Sequence, residues 1–280
     1  MSTIRISSGP GPIAKFVIYA VLIVMTIAAL TPASWVVLSS ISTQTDIYAG
    51  RVFPQAIDWS GYRDLFADAN LVPSLLNTLL YAVGGTLGAL AVGLLAAYPT
   101  ARMTFPLRGA ITNLLSLTLA IPIIGLIVPE FYIALQLGLY NTRLGLLIFY
   151  IALFFPLAFV ILRAYLARIP PEIEEAALID GAGFFTILFR IILPLSRPAM
   201  VTVAVIVFIS IWNEFLFALV LAPQPVNGNV QTVLSTFKAQ FQFNVTAMLA
   251  GTSVVMVVPI VVFLFLQRYV VAGLTAGFSK

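Results

Sequence analysis

Cysteine and histidine are absent from this chain of 280 residues, and charged residues make up only 9% of it. Without cysteine there is no disulfide and no thiolate nucleophile, and without histidine the commonest general base of enzymes is missing. The two residue types that dominate zinc sites are missing as well. Disulfide scaffolds, thiol chemistry and cysteine or histidine metal sites are therefore excluded.

Lysine is also scarce, with three copies at Lys15, Lys238 and Lys280. None of them stands between a glycine and a serine or threonine, as the lysine of a phosphate-binding P-loop does. The chain therefore has no P-loop ATPase site of its own. If ATP drives its activity, another subunit must hydrolyse it.

Apolar residues are what the chain has in abundance: 61% of its residues are hydrophobic and the mean hydropathy is +1.08. Soluble domains carry about 25% charged residues, so this composition predicts a polytopic membrane protein. A span needs about 20 apolar residues, and a spanning segment must satisfy its own backbone groups, which predicts helices. The predicted fold is all-α with six transmembrane helices, at residues 16–38, 72–98, 109–128, 144–162, 200–221 and 247–266.

The basic residues predict the orientation, because cytoplasmic loops are enriched in lysine and arginine. With the amino terminus inside, four of the 14 basic residues lie outside, and the other ten lie inside. Both termini are therefore predicted to be cytoplasmic, with tails at 1–15 and 269–280 and a cytoplasmic loop at 167–198. The alternative, a cleaved signal peptide over residues 1–33, is disfavoured because the apolar run continues to Leu38.

One polar island, residues 170–183, interrupts the apolar runs. Pro170 and Pro171 suit a helix start, three glutamates follow in the first turn, and Gly181 and Gly183 suit a helix stop. We expect a helix of about two turns outside the membrane. An amphipathic helix resting on lipid headgroups is normally rich in lysine and arginine, whereas this segment has four acids and no base. The island therefore favours docking to another protein over lipid binding or carboxylate catalysis.

The island also carries a motif. Its fixed positions are Glu175, Ala176, Ala177, Gly181, Ile191, Leu193 and Pro194, and Asp180 fits the common Asp-Gly-Ala variant. This spacing resembles the EAA loop of permease subunits from binding-protein-dependent ABC importers. The residues Glu175 to Gly181 would then form the coupling helix that docks on the ATPase subunits.

Further segments are similar to those of carbohydrate permeases within this group, namely permeases that resemble the maltose-type G subunit. They are Phe53-Pro54, 62–66, 77–79, 212–215, 267–269 and 273–277. Two departures are Gly61, where the first loop often has asparagine, and a tail that ends without the usual final glycine.

The resemblance implies an importer-type (MetI-like) permease fold in a bacterial or archaeal cytoplasmic (inner) membrane. It also implies a second homologous permease, two ATP-binding subunits, an external solute-binding protein and a carbohydrate substrate. ATP and Mg²⁺ would be bound by the ATPase subunits, so we expect neither a cofactor, nor enzymatic activity, nor nucleic-acid binding in this chain.

Two further sets of residues are candidates. Glu214 is the only acid deep within a predicted span, with Asn213 beside it, and a buried ionisable group in lipid indicates a function or a partner. They are candidates for the substrate path; alternatively, Glu214 bonds a neighbouring helix and never meets solute. The resemblance also implies that Lys238, Gln240 and Gln242 contact the binding protein, although an interfacial turn fits them equally well.

A different class of function stays open. The chain could be a subunit of an ion-gradient-driven secondary transporter, or a structural membrane subunit without a transport path. Ion coupling normally places several ionisable groups near mid-membrane, and the predicted spans offer Glu214 alone.

Overall fold

The computed structural model describes residues 11–68, 70–240 and 245–275, with the side chains of all of them except 236–240 and 268–275. The described residues form helices and no strand. The α-helices are α1 (Pro12–Ser40), α2 (Gln44–Tyr48), α3 (Ser60–Ala67), α4 (Leu71–Arg102), α5 (Arg108–Leu117), α6 (Ile127–Gln136), α7 (Arg143–Leu166), α8 (Glu172–Ile179), α9 (Phe184–Thr186), α10 (Leu193–Leu195), α11 (Arg197–Trp212), α12 (Leu216–Leu221), α13 (Val230–Gln240) and α14 (Val245–Thr275). Two 3₁₀ turns (Thr118–Ala120 and Ile123–Leu126) and a π-helical stretch (Ile187–Ile192) complete the order.

The chain divides into two compact units. The smaller unit joins Met1–Ala67 to Gln240–Val254. In this unit the hydroxyls of Ser40 and Tyr62 lie 2.8 Å apart, which connects the end of α1 to α3. Asp46 in α2 accepts a hydrogen bond from Arg51 at 2.7 Å, and this contact holds the pKa of the Asp46 carboxyl below its ordinary value.

The larger unit joins Asp68–Ala239 to Val255–Lys280, and its core is formed by α4, α7 and α11. Gly93 lets α4 approach α7 closely, because a Cβ atom at this position would lie 2.7 Å from the Cβ of Ala158. Tyr81, Tyr150 and Trp212 are fully buried. The indole nitrogen of Trp212 donates to the carbonyl of Val255 at 3.1 Å, which fixes α11 to the part of α14 in this unit.

Four helices, α1, α4, α7 and α14, are long and apolar enough to cross a membrane. They cover four of the predicted spans, and the helical fold class is confirmed. Among the described residues up to six spans result if each of two bent helix pairs counts as one. Helix α1 begins four residues before the predicted start and α14 continues to Thr275, so parts of both predicted tails are helical.

The other two predicted spans are interrupted, which the apolar runs did not predict. The run at 109–128 is broken at Ile121-Pro122, where the pair 108–120 and 123–136 bends by 101°. Pro122 has no N–H to continue a helical ladder. The run at 200–221 stops at Trp212 and resumes as α12 at Leu216. A separate bend of 71° precedes this run at Ser196, between Phe184–Leu195 and Arg197–Trp212.

Candidate coupling surface and transport path

The polar island forms the predicted helix of about two turns, α8, and its end is defined by backbone geometry. The N–H of Gly181 bonds the carbonyl of Leu178 at 3.0 Å, and the N–H of Ala182 bonds the carbonyl of Ala177 at 2.9 Å. This pair of bonds is the Schellman arrangement, which needs a residue with left-handed backbone after the helix. Gly181 supplies it with φ of +81°. The glycine of the motif is therefore a helix stop.

One side of α8 is tied to the end of α4. The carboxylate of Glu174 accepts hydrogen bonds from the Tyr98 hydroxyl at 3.0 Å and from Nε of Arg102 at 2.5 Å. The Arg102 and Glu174 side chains are only 11% and 15% exposed, so water competes weakly for this ion pair. The Tyr98 ring also contacts the Phe184 ring, with centroids 5.5 Å apart. These contacts fix the segment that contains α8 against the last turn of α4.

The opposite side of α8 is open. Glu175, Ala176 and Asp180 are exposed, as are Leu178 and Ile179, and Ile179 is 86% exposed. An exposed apolar pair between acids suits a protein partner more than water.

The Glu-Ala-Ala triplet is divided between these two sides, because Ala177 is buried. The tie at Glu174 turns α8 so that Ala177, three residues later on the same helix face, points inward. Only Ala176 presents a small side chain to the outside.

The second half of the motif lies where the chain enters α11. Ile191 lies within the π-helical stretch, and Leu193 and Pro194 belong to α10 directly after it. All three are half-buried. Proline in a helix interior clashes with the carbonyl four residues before it, and a wider turn relieves that clash. The Ile-x-Leu-Pro residues thus shape the connection between α8 and α11.

Glu214 lies in the gap between α11 and α12, and its carboxylate is surrounded by donors. It accepts from the Tyr150 hydroxyl at 2.7 Å and from the N–H groups of Phe217 at 2.7 Å and Ala218 at 3.1 Å. Its backbone carbonyl accepts from Nδ2 of Asn229 at 2.5 Å. Glu214 therefore caps α12 and bonds α7. This is the bond to a neighbouring helix that the sequence offered as the alternative to a place in the substrate path.

Asn213 does not converge with Glu214 on one site. Its side chain is exposed, and its Nδ2 donates to the carbonyl of Ile209 in its own helix at 2.9 Å. The two neighbours therefore face different surroundings.

The candidate contacts to a binding protein lie at the edge of the residues that the structure describes. Lys238 and Gln240 lie in α13, but their side chains are outside the described residues, as is Gln242 altogether.

A second acid in an apolar stretch, Glu130, was missed from the sequence. It lies in α6, two residues beyond the end of the predicted span at 109–128, so it was not considered beside Glu214, the only acid deep within a predicted span. The apolar stretch in fact continues across Pro122 and Pro129 to Leu139. Extending the run across these prolines is the signal that would have found it.

A comparison with known families and proteins matches most of the chain. The profile of the family described as "Binding-protein-dependent transport system inner membrane component" matches residues 89–275. The trehalose transport system permease protein SugB of Mycobacterium tuberculosis is 34% identical over 254 residues, which is 90% of this chain and 93% of that protein. The sulfoquinovosyl glycerol transport system permease protein SmoH of Agrobacterium fabrum is 30% identical over the full length of both chains.

A similar fold is found among solved structures. A chain from a bacterial ABC transporter involved in the import of the acidic polysaccharide alginate superposes with a TM-score of 0.80 and 26% identity. The match covers 95% of this chain and 99% of the other. The fold of the described residues is therefore that of an importer permease.

Proposed function

We propose that this chain, which belongs to the family of binding-protein-dependent transport system inner membrane components, conducts a carbohydrate across the membrane. Membership makes the chain a multi-pass inner-membrane permease subunit of an ABC importer. Such a subunit works with a second permease subunit, ATP-binding subunits and an external solute-binding protein.

The carbohydrate class is supported by the relatives. Two of them are named for trehalose and for sulfoquinovosyl glycerol, and the similar solved structure belongs to an alginate importer. These solutes differ in size and charge but share dense hydroxyl groups. A sugar, an oligosaccharide or a glycosylated polyol is therefore the proposed cargo.

The proposed topology has six spans, with each bent pair counted as one. Both termini, the tails 1–15 and 269–280, and the coupling loop 167–198 lie in the cytoplasm. The distribution of the basic residues supports this orientation. On this topology α8 faces the ATP-binding subunits.

The proposed mechanism rests on one observation: α8 is tied to α4 on one side and exposed on the other. Closure of the ATP-binding subunits pushes the exposed side, which includes Glu175, Ala176 and Asp180. The ion pair of Glu174 passes the displacement to Arg102 and so to α4. Because α4 packs along α7 and α11, these helices shift together as a rigid group.

The other residues have distinct proposed roles. Gly181 ends α8, and Ile191, Leu193 and Pro194 set the path into α11. ATP and Mg²⁺ are bound by the partner subunits, and this chain supplies neither a cofactor nor a catalytic residue. Lys238, Gln240 and Gln242 contact the external binding protein. Glu214 positions α12 and does not touch the solute, in keeping with the three hydrogen bonds that its carboxylate accepts from the protein.

The coupling role is tested with two variants of the complete importer in proteoliposomes. Ile179→Asp places a charge on the open side of α8 and should abolish co-purification of the ATP-binding subunits. Arg102→Ala should keep co-purification but lower ATP-driven uptake about 10-fold, because it removes a charged hydrogen bond that is mostly shielded from water. Arg197→Ala, at an exposed arginine of α11, is the matched control and should leave both unchanged. Full association and uptake in Ile179→Asp would contradict the proposal.

The energy source separates the importer from an ion-driven transporter. In the absence of any ion gradient, uptake should require ATP on the side of the membrane where the ATP-binding subunits lie. Vanadate should stop this uptake. Uptake driven by a proton or sodium gradient without ATP would instead support the secondary transporter.

A further inference from the structure

Among the described residues, five buried side-chain polar atoms have no hydrogen-bond partner, and Glu130 is the only acid among these residues; the others are Thr86, Thr112, Arg163 and Ser253. The Oε2 atom of Glu130 is enclosed by protein and has no hydrogen-bond partner. A buried carboxylate oxygen without a donor is strongly unfavourable in a membrane protein. Such a group is retained where something outside the chain provides the missing donor.

A cavity lies directly beside this carboxylate. Its volume is about 250 Å³, and its wall includes Glu130, Thr118, Ile123, Phe155 and Pro156. It is smaller than the pockets of roughly 300–1,000 Å³ that hold drug-sized ligands. One sugar ring, rather than an oligosaccharide, suits this space.

The wall of the cavity includes the interrupted part of the third span. Residues 118–126 are 3₁₀ turns on either side of Pro122, and the helices flanking them bend by 101°. Irregular backbone at membrane depth is tolerated where it is buried in protein or lines a water-filled cavity, and broken helices form the solute sites of many transporters. The break, the cavity and the unpaired carboxylate coincide at one place.

The chemistry of this site selects the ligand class. Carbohydrate hydroxyls donate hydrogen bonds to a carboxylate and to a threonine hydroxyl, and the C–H face of a sugar ring packs on an aromatic ring such as Phe155. A dehydrated Ca²⁺ would need six to eight oxygen ligands, and the described residues hold no cluster of acidic groups able to bind a metal ion.

We propose that Glu130, together with Thr118 and Phe155, forms a subsite that holds one sugar ring of the solute on its way through the membrane. The proposal rests on the proposed carbohydrate transport. Glu130 acts as a hydrogen-bond acceptor that is satisfied only while solute is present. An empty path therefore contains an unpaired group, and a loaded path does not.

The first test separates transport from ATP hydrolysis in the reconstituted importer. Radiolabelled trehalose and melibiose serve as probes, together with whichever sugar loads the binding protein. Glu130→Ala should lower the number of sugars imported per ATP about 10-fold while binding-protein-stimulated hydrolysis stays within about twofold of the parent. Glu130→Gln, which retains a hydrogen-bonding oxygen, should lose less. Ile124→Ala is the matched control, because Ile124 is in the same broken segment, is 72% exposed and does not line the cavity.

The second test uses the absence of cysteine from the chain. Thr118→Cys and Ile124→Cys each give the permease one thiol, whose alkylation is followed by mass spectrometry of this chain. The transported sugar should slow alkylation at position 118 about 10-fold during turnover and leave position 124 unchanged. Equal alkylation with and without sugar, or an unchanged import ratio in Glu130→Ala, overturns the subsite. A parent importer that moves no carbohydrate at all would instead overturn the proposed function.

Discussion

Two apolar stretches of this chain are interrupted, each carries one glutamate, and the two glutamates have opposite surroundings. Glu214, at the break between α11 and α12, receives three hydrogen bonds on its carboxylate. Glu130, after the break between α5 and α6, has a carboxylate oxygen that is buried without a partner. The same residue type is therefore hydrogen-bonded by the protein in one interrupted stretch and, on our proposal, available for a ligand in the other.

The difference follows from where each acid lies relative to the helix start. Glu214 precedes α12 by two residues, so its carboxylate reaches the free N–H groups of Phe217 and Ala218. Glu130 lies inside α6, and that helix is entered from a 3₁₀ turn in which the N–H of Ile127 already bonds the carbonyl of Ile124. Glu130 is the fourth residue of α6, so its side chain is not at the N-cap position from which free N–H groups are reached.

The largest effect is expected from removing the satisfied carboxylate. Glu214→Ala leaves two N–H groups and the Tyr150 hydroxyl without their acceptor, which should lower the free energy of unfolding by about 3 kcal/mol. The measurement is thermal unfolding of the purified permease complex in detergent. Asn213→Ala is the control and should change stability by less than about 0.5 kcal/mol, because that side chain is exposed. Equal effects at positions 213 and 214 would remove the basis for the comparison.

A smaller effect is expected from removing one of the donors. Tyr150→Phe keeps the buried ring and deletes the hydroxyl that bonds Glu214, so stability should fall by about 1 kcal/mol. Tyr132→Phe, at a residue that is 61% exposed, should be neutral. If Tyr150→Phe were neutral as well, the carboxylate of Glu214 would depend only on the backbone groups of α12.

The smallest effect, and one of opposite sign, is expected at the unpaired acid. Glu130→Gln removes a buried charge that lacks a donor, so it should raise stability by up to about 1 kcal/mol in the absence of solute. The same unfolding measurement, repeated with the transported sugar, should show a smaller gain or none. A loss of stability comparable with that of Glu214→Ala would mean that both acids are structural.

Much of the fold was predictable because it depends on local sequence. The apolar runs predicted the helices α1, α4, α7 and α14, and the prolines, acids and glycine of the island predicted α8. The bond between Tyr150 and Glu214 was not predictable, because the two residues are distant in sequence. Glu130 was missed because the predicted span ended at Val128, where two prolines hide the continuity of the apolar stretch.

The orientation of α8 could not be predicted from the sequence, because it also depends on contacts between residues that are distant along the chain. Any of its three first-turn glutamates could have bonded to another helix, and only the structure shows that Arg102 and Tyr98 meet Glu174. That choice turns Ala177 inward and leaves Ile179 outside. The motif therefore predicted the helix, but not which of its faces is free.

The π-helical stretch at Ile187–Ile192 affects the rotation of the chain between the segment that follows α8 and the start of α11. A π turn holds one residue more than an α turn, and one residue corresponds to about 100° of rotation around a helix axis. Deleting a single residue there would allow an ordinary α turn and would rotate the helical residues directly before it, Phe184–Thr186, by roughly a quarter turn relative to α11. The rotation at which the chain leaves the segment after α8 and enters α11 thus depends on one residue of backbone.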